Sequence, residues 1–302
     1  MRRPAVAIAP DYADWAGEAI VAAGGDVVDL DAAEALVWLT RRPTELADVL
    51  RSHPGLAWVH LLPAGIETLV ESGVIDDGRV WTCGKGAYAA AVAEHALALI
   101  LAAKHHLVEF ARATTWTESL GSSLSANTVV IVGGGGIATE LIRLLVPFGC
   151  EIVVVRHRGL PLDGATRVTT DIDAVVSKAD VVVLAAAVTD HTVRLLGRRR
   201  FEAMRPDAIV VNVARGRLID TDALVEALAN NRIGAACLDV TDPEPLPDDH
   251  PLWRFDNCLI TPHTANPPDL TLPAAVRRLT DNIRRWAAGE PLIGVIDPSL
   301  GY

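Results

Sequence analysis

At 302 residues, with a formal net charge of −11 and half its residues hydrophobic but only 5% aromatic, the chain suits two domains of the usual ~100–200 residues. It is too acidic overall to attract nucleic acid. The four cysteines, at 83, 150, 237 and 258, make no CxxC pair and no metal-ligand spacing, which argues against a metal site or disulfide framework and for a reducing compartment.

AVAIA (5–9) predicts a strand, residues 13–23 a helix, and VVDL (27–30) a second strand. LAWVHLLPAG (56–65) reads as a strand running into a turn and RVWTC (79–83) as the next strand, completing a small βαβ series. The apolar run after Met1-Arg2-Arg3 ends at Asp11, too soon for a signal h-region. AVAEHALALILAA, from Ala91, carries Glu94 and His95 and falls short of the ~20 residues that span a bilayer. No membrane partner is expected, and the chain reads as cytoplasmic. From Ala89 to about Val108 neither Gly nor Pro interrupts a long predicted helix.

NTVVIVGGGGIATELIRLLVPFGCEIVVVRHRG (127–159) opens a second series of strand, glycine turn, helix and strand. ADVVVLAAA (179–187), AIVVNVA (208–214), AACLDV (235–240) and CLITPH (258–263) are further strands. Helices lie near 198–204, started by the solvated run Arg198-Arg199-Arg200, and 221–230, capped by Thr221-Asp222. A last helix covers 273–290. Such alternation predicts an α/β protein with a doubly wound parallel sheet. Periodicity leaves open whether the tail PLIGVIDPSLGY returns to the first domain.

IVGGGGIA sets Gly133 and Gly135 at the first two positions of G-x-G-x-x-G, with Ala138 at the third. The first glycine permits the turn and the second lets a pyrophosphate approach the backbone. Gly136 and Ile137 open the helix whose amides face the anion. An NAD-binding strand usually ends in an acidic residue that takes the ribose hydroxyls, but EIVVV ends in Arg156, His157 and Arg158. A guanidinium there pairs with a 2′-phosphate, so NADP is the favoured cofactor and NAD the alternative.

Arg215 in NVARGRLID, Glu244 in DVTDPEPLP and His263 in TPHTAN each follow an apolar strand, spaced 29 and 19 residues apart. Parallel strands would bring all three to one edge. A carboxylate bonded to an imidazole orients the ring for proton transfer, and an arginine holds a carboxylate or polarises a ketone. With a nicotinamide, such a trio reduces a 2-keto acid. Taken singly, each residue has a plain structural reading: His263 as a hydrogen bonder, Arg215 as a cap, Glu244 as a solvated loop residue.

The ordered motifs GGGGIA, NVARGRLIDTDALVEAL, LDVTDPEPLPDDHPLW, NCLITPH and VIDPSLGY resemble the D-isomer-specific 2-hydroxyacid dehydrogenases, and most of all the glyoxylate/hydroxypyruvate reductase branch. The resemblance implies two Rossmann-like domains: a smaller flavodoxin-like substrate domain (1–95 and 268–302) and a dinucleotide-binding domain (96–267). It implies a site in a closing cleft and a homodimer. Arg215 would bind the substrate carboxylate and carbonyl, and Glu244 would orient His263, which exchanges the proton on the C2 oxygen. Asp239 would meet the nicotinamide carboxamide and Val213 would line the cofactor site. In LLPAGIETL the amides of Ala64, Gly65 and Ile66 would bind substrate, with Pro63 replacing a common serine; His250 and Trp253 are candidates for the pocket wall. The substrate would be a small 2-keto acid. An NAD-dependent phosphoglycerate-type dehydrogenase and a corepressor-like dinucleotide sensor are the alternatives.

Overall fold

The structure, a computed structural model, describes residues 2–76 and 78–297. Two compact units emerge: residues up to Tyr88 with those from Pro267 onward, and Ala89–Asn266.

The first unit begins with β1 (Ala5–Ala9), α1 (Asp14–Ala22), β2 (Asp26–Val27), β3 (Ala35–Trp38) and α2 (Pro43–Ser52). It continues with β4 (Trp58–Leu61), α3 (Glu67–Glu71) and β5 (Val80–Cys83). Its sheet runs β2-β1-β3-β4-β5 with every pairing parallel, the flavodoxin-like order. β3 and β4 are buried at each residue, as strands covered on both faces require. The strand expected at 27–30 shrinks to the edge pair Asp26–Val27, because the chain turns into a short 3₁₀ segment at Leu30–Ala32. The sequence pattern does not announce β3 or α2. ALVW is too short to show a period, and α2 buries only Leu46 and Leu50, one i,i+4 pair.

In the second unit, α4 (Ala89–Lys104), α5 (Leu107–Arg112), β6 (Thr128–Val132), α6 (Gly136–Leu145), β7 (Glu151–Val155) and β8 (Arg167–Thr169) come first. They are followed by β9 (Val181–Leu184), α7 (Arg198–Ala203), β10 (Ile209–Asn212), α8 (Thr221–Ala229), β11 (Ala235–Leu238) and β12 (Cys258–Ile260). The parallel sheet runs β12-β11-β10-β9-β6-β7-β8. From β6 the chain winds one way to β8 and the other way to β12, so the switch point of this doubly wound sheet lies between β6 and β9. In register, Ile131 of β6 stands beside Val154 and Val183, a continuous β-branched interior.

Two expectations are corrected here. The helix from Ala89 breaks after Lys104, where His106 adopts a left-handed φ of 51° before α5. α8 is capped by Asp220, whose carboxylate accepts from the Ala223 amide at 3.1 Å, and Thr221 instead donates its hydroxyl to the Asp242 carbonyl at 2.7 Å. The first unit runs to Tyr88, so α4 falls whole in the second. The arginine run does start α7, but it is ion-paired: Arg199 and Arg200 with Asp173, Arg198 with Glu226.

α9 (Pro268–Ala288) belongs to the first unit. It starts five residues before the expected 273 because Pro273 is tolerated inside it, against the usual cost of an interior proline. It ends at Gly289 with φ +69°. Trp286 packs on Trp58 of β4 at 5.5 Å between ring centroids. Asn282, buried, trades two hydrogen bonds with the backbone of Ile293. The tail then pairs with β5, the Cys83 amide donating to Gly294 and the Ile296 amide to Trp81. Residues 298–302 of the VIDPSLGY motif lie outside the described residues.

Among the described residues no helix is long and apolar enough to cross a membrane, and no cluster of His, Cys, Asp and Glu could hold a metal. All four cysteines are free.

One buried polar group stands out in the first unit. On β4, His60 Nδ1 lies 2.8 Å from Thr82 Oγ1, which also accepts from the Trp58 indole at 2.8 Å. Burial, aided by the Arg278 charge, pushes His60 down from 6.5 to about 3. The unfolded chain therefore binds more protons between those values, and stability falls as pH drops through the window. From pH 6.5 to 5 this should cost roughly 2 kcal/mol. Chemical unfolding across that interval should show the slope in the native protein and its loss in His60→Phe.

Candidate functional site in the dinucleotide-binding unit

The glycine turn sits at the switch point. Gly133 follows β6 with φ +115°, and a Cβ there would run into the Ala185 carbonyl beyond β9, so two strand ends approach more closely than any side chain allows. Gly135 precedes α6 with no side-chain cap, and a Cβ on it would meet nothing within 4 Å. The amides of Gly134, Gly135, Gly136 and Ile137 have no acceptor among the described residues. Open approach, free amides and a ten-residue helix at its positive end fit a pyrophosphate. The Arg156 side chain crosses the turn, its Nε 2.7 Å from where a Gly134 Cβ would stand. His157 and Arg158 are exposed beside it, and Val213 is buried past the end of β10.

The polar residues expected at one edge all emerge there, from the loops after β10, β11 and β12. Asn212, fully buried, shapes the first: Nδ2 donates to the Arg215 carbonyl at 2.8 Å and Oδ1 accepts from the Ala214 amide at 3.1 Å. Half-buried Arg215 donates from Nη1 to the Ala214 carbonyl at 2.6 Å. Next to it, Gly216 lies against the Thr241–Asp242 peptide with no room for a Cβ, which joins the arginine loop to the proline loop. There Thr241 donates to the Pro243 carbonyl at 2.8 Å, Leu246 is buried, and the Trp253 indole donates to the Pro247 carbonyl at 2.9 Å. His250 Nδ1 accepts from the Leu252 amide, so His250 and Trp253 both brace this loop.

Glu244 Oε1 and His263 Nδ1 meet at 2.6 Å, each side chain a little under half exposed. A carboxylate only accepts, so Nδ1 carries the proton and Nε2 is left for exchange. His263 has a backbone φ of 50°, a left-handed conformation costing on the order of 1–2 kcal/mol for a residue with a Cβ. Its amide donates to the Asp239 carbonyl at 2.8 Å.

Asp239, expected at the cofactor, is buried just past β11. Its carboxylate is 1% exposed. Oδ1 accepts from Thr261 Oγ1 at 2.6 Å and the Thr264 amide at 2.9 Å, and Oδ2 accepts from the Ala265 amide at 3.1 Å. Such a buried, satisfied group builds the His263 loop. Burial pushes its pKa up, but the bonds from His95, Thr261 and the two amides outweigh that and hold it at about 2. His95, on α4, looks in the sequence like no more than a polar break in an apolar helix. Its Nε2 lies 3.0 Å from Thr261 Oγ1 and 3.4 Å from Asp239 Oδ1. Nothing in the linear pattern joins residues 95, 239 and 261.

In the first unit, the turn after β4 leads into α3, and the amides of Ala64, Gly65 and Ile66 have no acceptor among the described residues. Tyr88 donates to the neighbouring Leu62 carbonyl at 3.0 Å.

Fold and glycine turn define a Rossmann-type dinucleotide-binding unit. Residues 95–265 match the family model described as D-isomer specific 2-hydroxyacid dehydrogenase, NAD binding domain. An uncharacterized protein in the proB 3′ region of Corynebacterium melassecola is 40% identical over 255 residues, 82% of this chain and 84% of that protein. A glyoxylate reductase from Thermofilum pendens is 31% identical over 232 residues, 73% of this chain and 68% of the relative. Among solved structures, a D-isomer specific 2-hydroxyacid dehydrogenase from Xanthobacter autotrophicus Py2, in complex with NADPH and MES, superposes with a TM-score of 0.87 at 25% identity, covering both chains fully. The chain belongs to the D-isomer specific 2-hydroxyacid dehydrogenase family and is an NAD(P)-dependent enzyme of that class.

Since the Asp239 carboxyl ionises near 2 when folded and 3.8 otherwise, its contribution is present above about pH 4 and lost as pH falls toward 2. Asp239→Asn replaces an acceptor with a donor facing N–H groups. It should cost about 2–4 kcal/mol at pH 7, with a smaller penalty at pH 3, measured by denaturant unfolding at both values.

Proposed function

We propose that the protein reduces a small 2-keto acid of the glyoxylate or hydroxypyruvate type to the D-2-hydroxy acid with NADPH. The observation that carries this reading is the 2.6 Å His263–Glu244 pair, on the same sheet edge as the acceptor-free glycine turn. Residues 89–266 would hold the cofactor, and those up to Tyr88 with those from Pro267 onward would supply substrate contacts. The pyrophosphate would rest on the amides of Gly135, Gly136 and Ile137, with Val213 beneath the cofactor. Arg156 and Arg158 would pair with a 2′-phosphate.

The nicotinamide, when bound, supplies the hydride to C2 of the keto acid. Arg215 holds the substrate carboxylate and polarises the ketone. His263 delivers a proton from Nε2 to the C2 oxygen as the C–H bond forms, and Glu244 keeps Nδ1–H fixed so that the ring presents Nε2. The free amides of Ala64, Gly65 and Ile66 support a carboxylate contact, while Pro63 contributes no donor. A Thermofilum relative named glyoxylate reductase and a structural relative solved with NADPH favour this substrate and cofactor choice. A cytoplasmic homodimer completes the proposal.

With a panel of 2-keto acids, NADPH oxidation should be fastest on glyoxylate or hydroxypyruvate, and no turnover on any of them would overturn the reading. His263→Ala should lower kcat about 10²–10⁴-fold while NADPH binding, followed by fluorescence, is retained. Replacing Arg156 and Arg158 by Ala should weaken NADPH about 10–100-fold and leave NADH little changed. Equal losses for the two cofactors would sink the NADP preference.

A further inference from the structure

We infer that His95 is a positioning residue: its Nε2–H clamps Thr261 and Asp239, and through them fixes the loop that carries His263. This rests on His263 being the proton donor proposed above.

The direction of each hydrogen bond follows from the chemistry. Asp239 is acceptor-only, so the Thr261 hydroxyl, 2.6 Å away, spends its one proton on Oδ1. Thr261 Oγ1 can then only accept from His95 Nε2 at 3.0 Å, and the same N–H points at Asp239 Oδ1, 3.4 Å away. His95 therefore presents Nε2–H to a shared acceptor pair. On the far side of that pair, the Asp239 carboxylate takes the amides of Thr264 and Ala265, and its backbone carbonyl takes the amide of His263. Three consecutive residues thus hang on Asp239, including the one held at φ 50°. His95 is the contact from α4 that braces Asp239 from behind. The clamp also has a place in the topology. His95 lies seven residues after the chain leaves the first unit at Tyr88, and Ala265 lies two before it returns at Pro267. One side chain ties the incoming helix to the outgoing loop.

The test compares His95→Leu, which removes the donor, with His95→Gln, whose amide N–H stands at a similar reach. Hydrogen exchange by mass spectrometry on the full chain should show residues 261–266 exchanging about 10-fold or more faster in His95→Leu, and near native rates in His95→Gln. In the same pair, kcat should fall about 10-fold and be rescued by Gln, with the KM for NADPH unmoved. Native exchange in His95→Leu, equal acceleration in both variants, or acceleration spread over all of residues 89–266 would each overturn the clamp. Absence of turnover by the native enzyme would instead defeat the functional proposal, and the exchange comparison would still decide the role of His95.

Discussion

An ionised carboxylate with no path to water must be surrounded by donors, because burying a bare charge costs several kcal/mol even after relaxation. Asp239 meets that demand with two backbone amides, a threonine hydroxyl and a histidine N–H. Three of those donors lie between Thr261 and Ala265, so satisfying one charge dictates the path of that segment. Asn212 does the same on the adjacent strand, where its amide group sets the turn of Ala214 and Arg215. The two are linked, since the Asp239 amide donates to the Asn212 carbonyl. Two buried polar side chains at the ends of β10 and β11 thus template the loops of the arginine and the histidine.

Glu244 is held by different means. Prolines at 243 and 245 limit the backbone on both sides of it. Hydroxyls of Thr221 and Thr241 bind the carbonyls of Asp242 and Pro243, and Trp253 ties down Pro247. The entropy of ordering this loop is spent in folding, not when substrate arrives. At His263 the amide bond to Asp239 helps offset its left-handed backbone. Both halves of the 2.6 Å pair are therefore fixed before any ligand binds.

Strands buried on both faces leave long Val/Ile/Ala runs, which is why the second sheet could be read in order from the sequence except for β8, a three-residue edge strand with no buried residue. A glycine with φ +115° inside such a context is equally legible. Other features are written in three dimensions. β3 is four residues long, and α2 owes its place to two leucines. The cap at Asp220 rather than Thr221 depends on where one turn begins, a shift that propensity cannot resolve because both residue types cap well. Asn212 and His95 look ordinary in sequence, a polar residue ending an apolar strand and another breaking an apolar helix. Their partners are revealed only when β10, β11, β12 and α4 come together.

The chain carries a net charge of −11, yet its proposed ligands are anions. Screening reconciles the two. At physiological ionic strength a charge beyond roughly 8–10 Å is largely damped, so the acidic total matters less than what lies at each phosphate or carboxylate. Around the glycine turn that local field consists of amide dipoles, a helix end and Arg156. Asp239, a carboxylate built into the same sheet edge, is withdrawn from water and satisfied by its own donors. Glu244 remains near the surface, and its charge is directed into the imidazole of His263. Separating the buried carboxylate that shapes the loop from the exposed one that serves the proposed proton donor lets an acidic protein keep an anion-receptive edge.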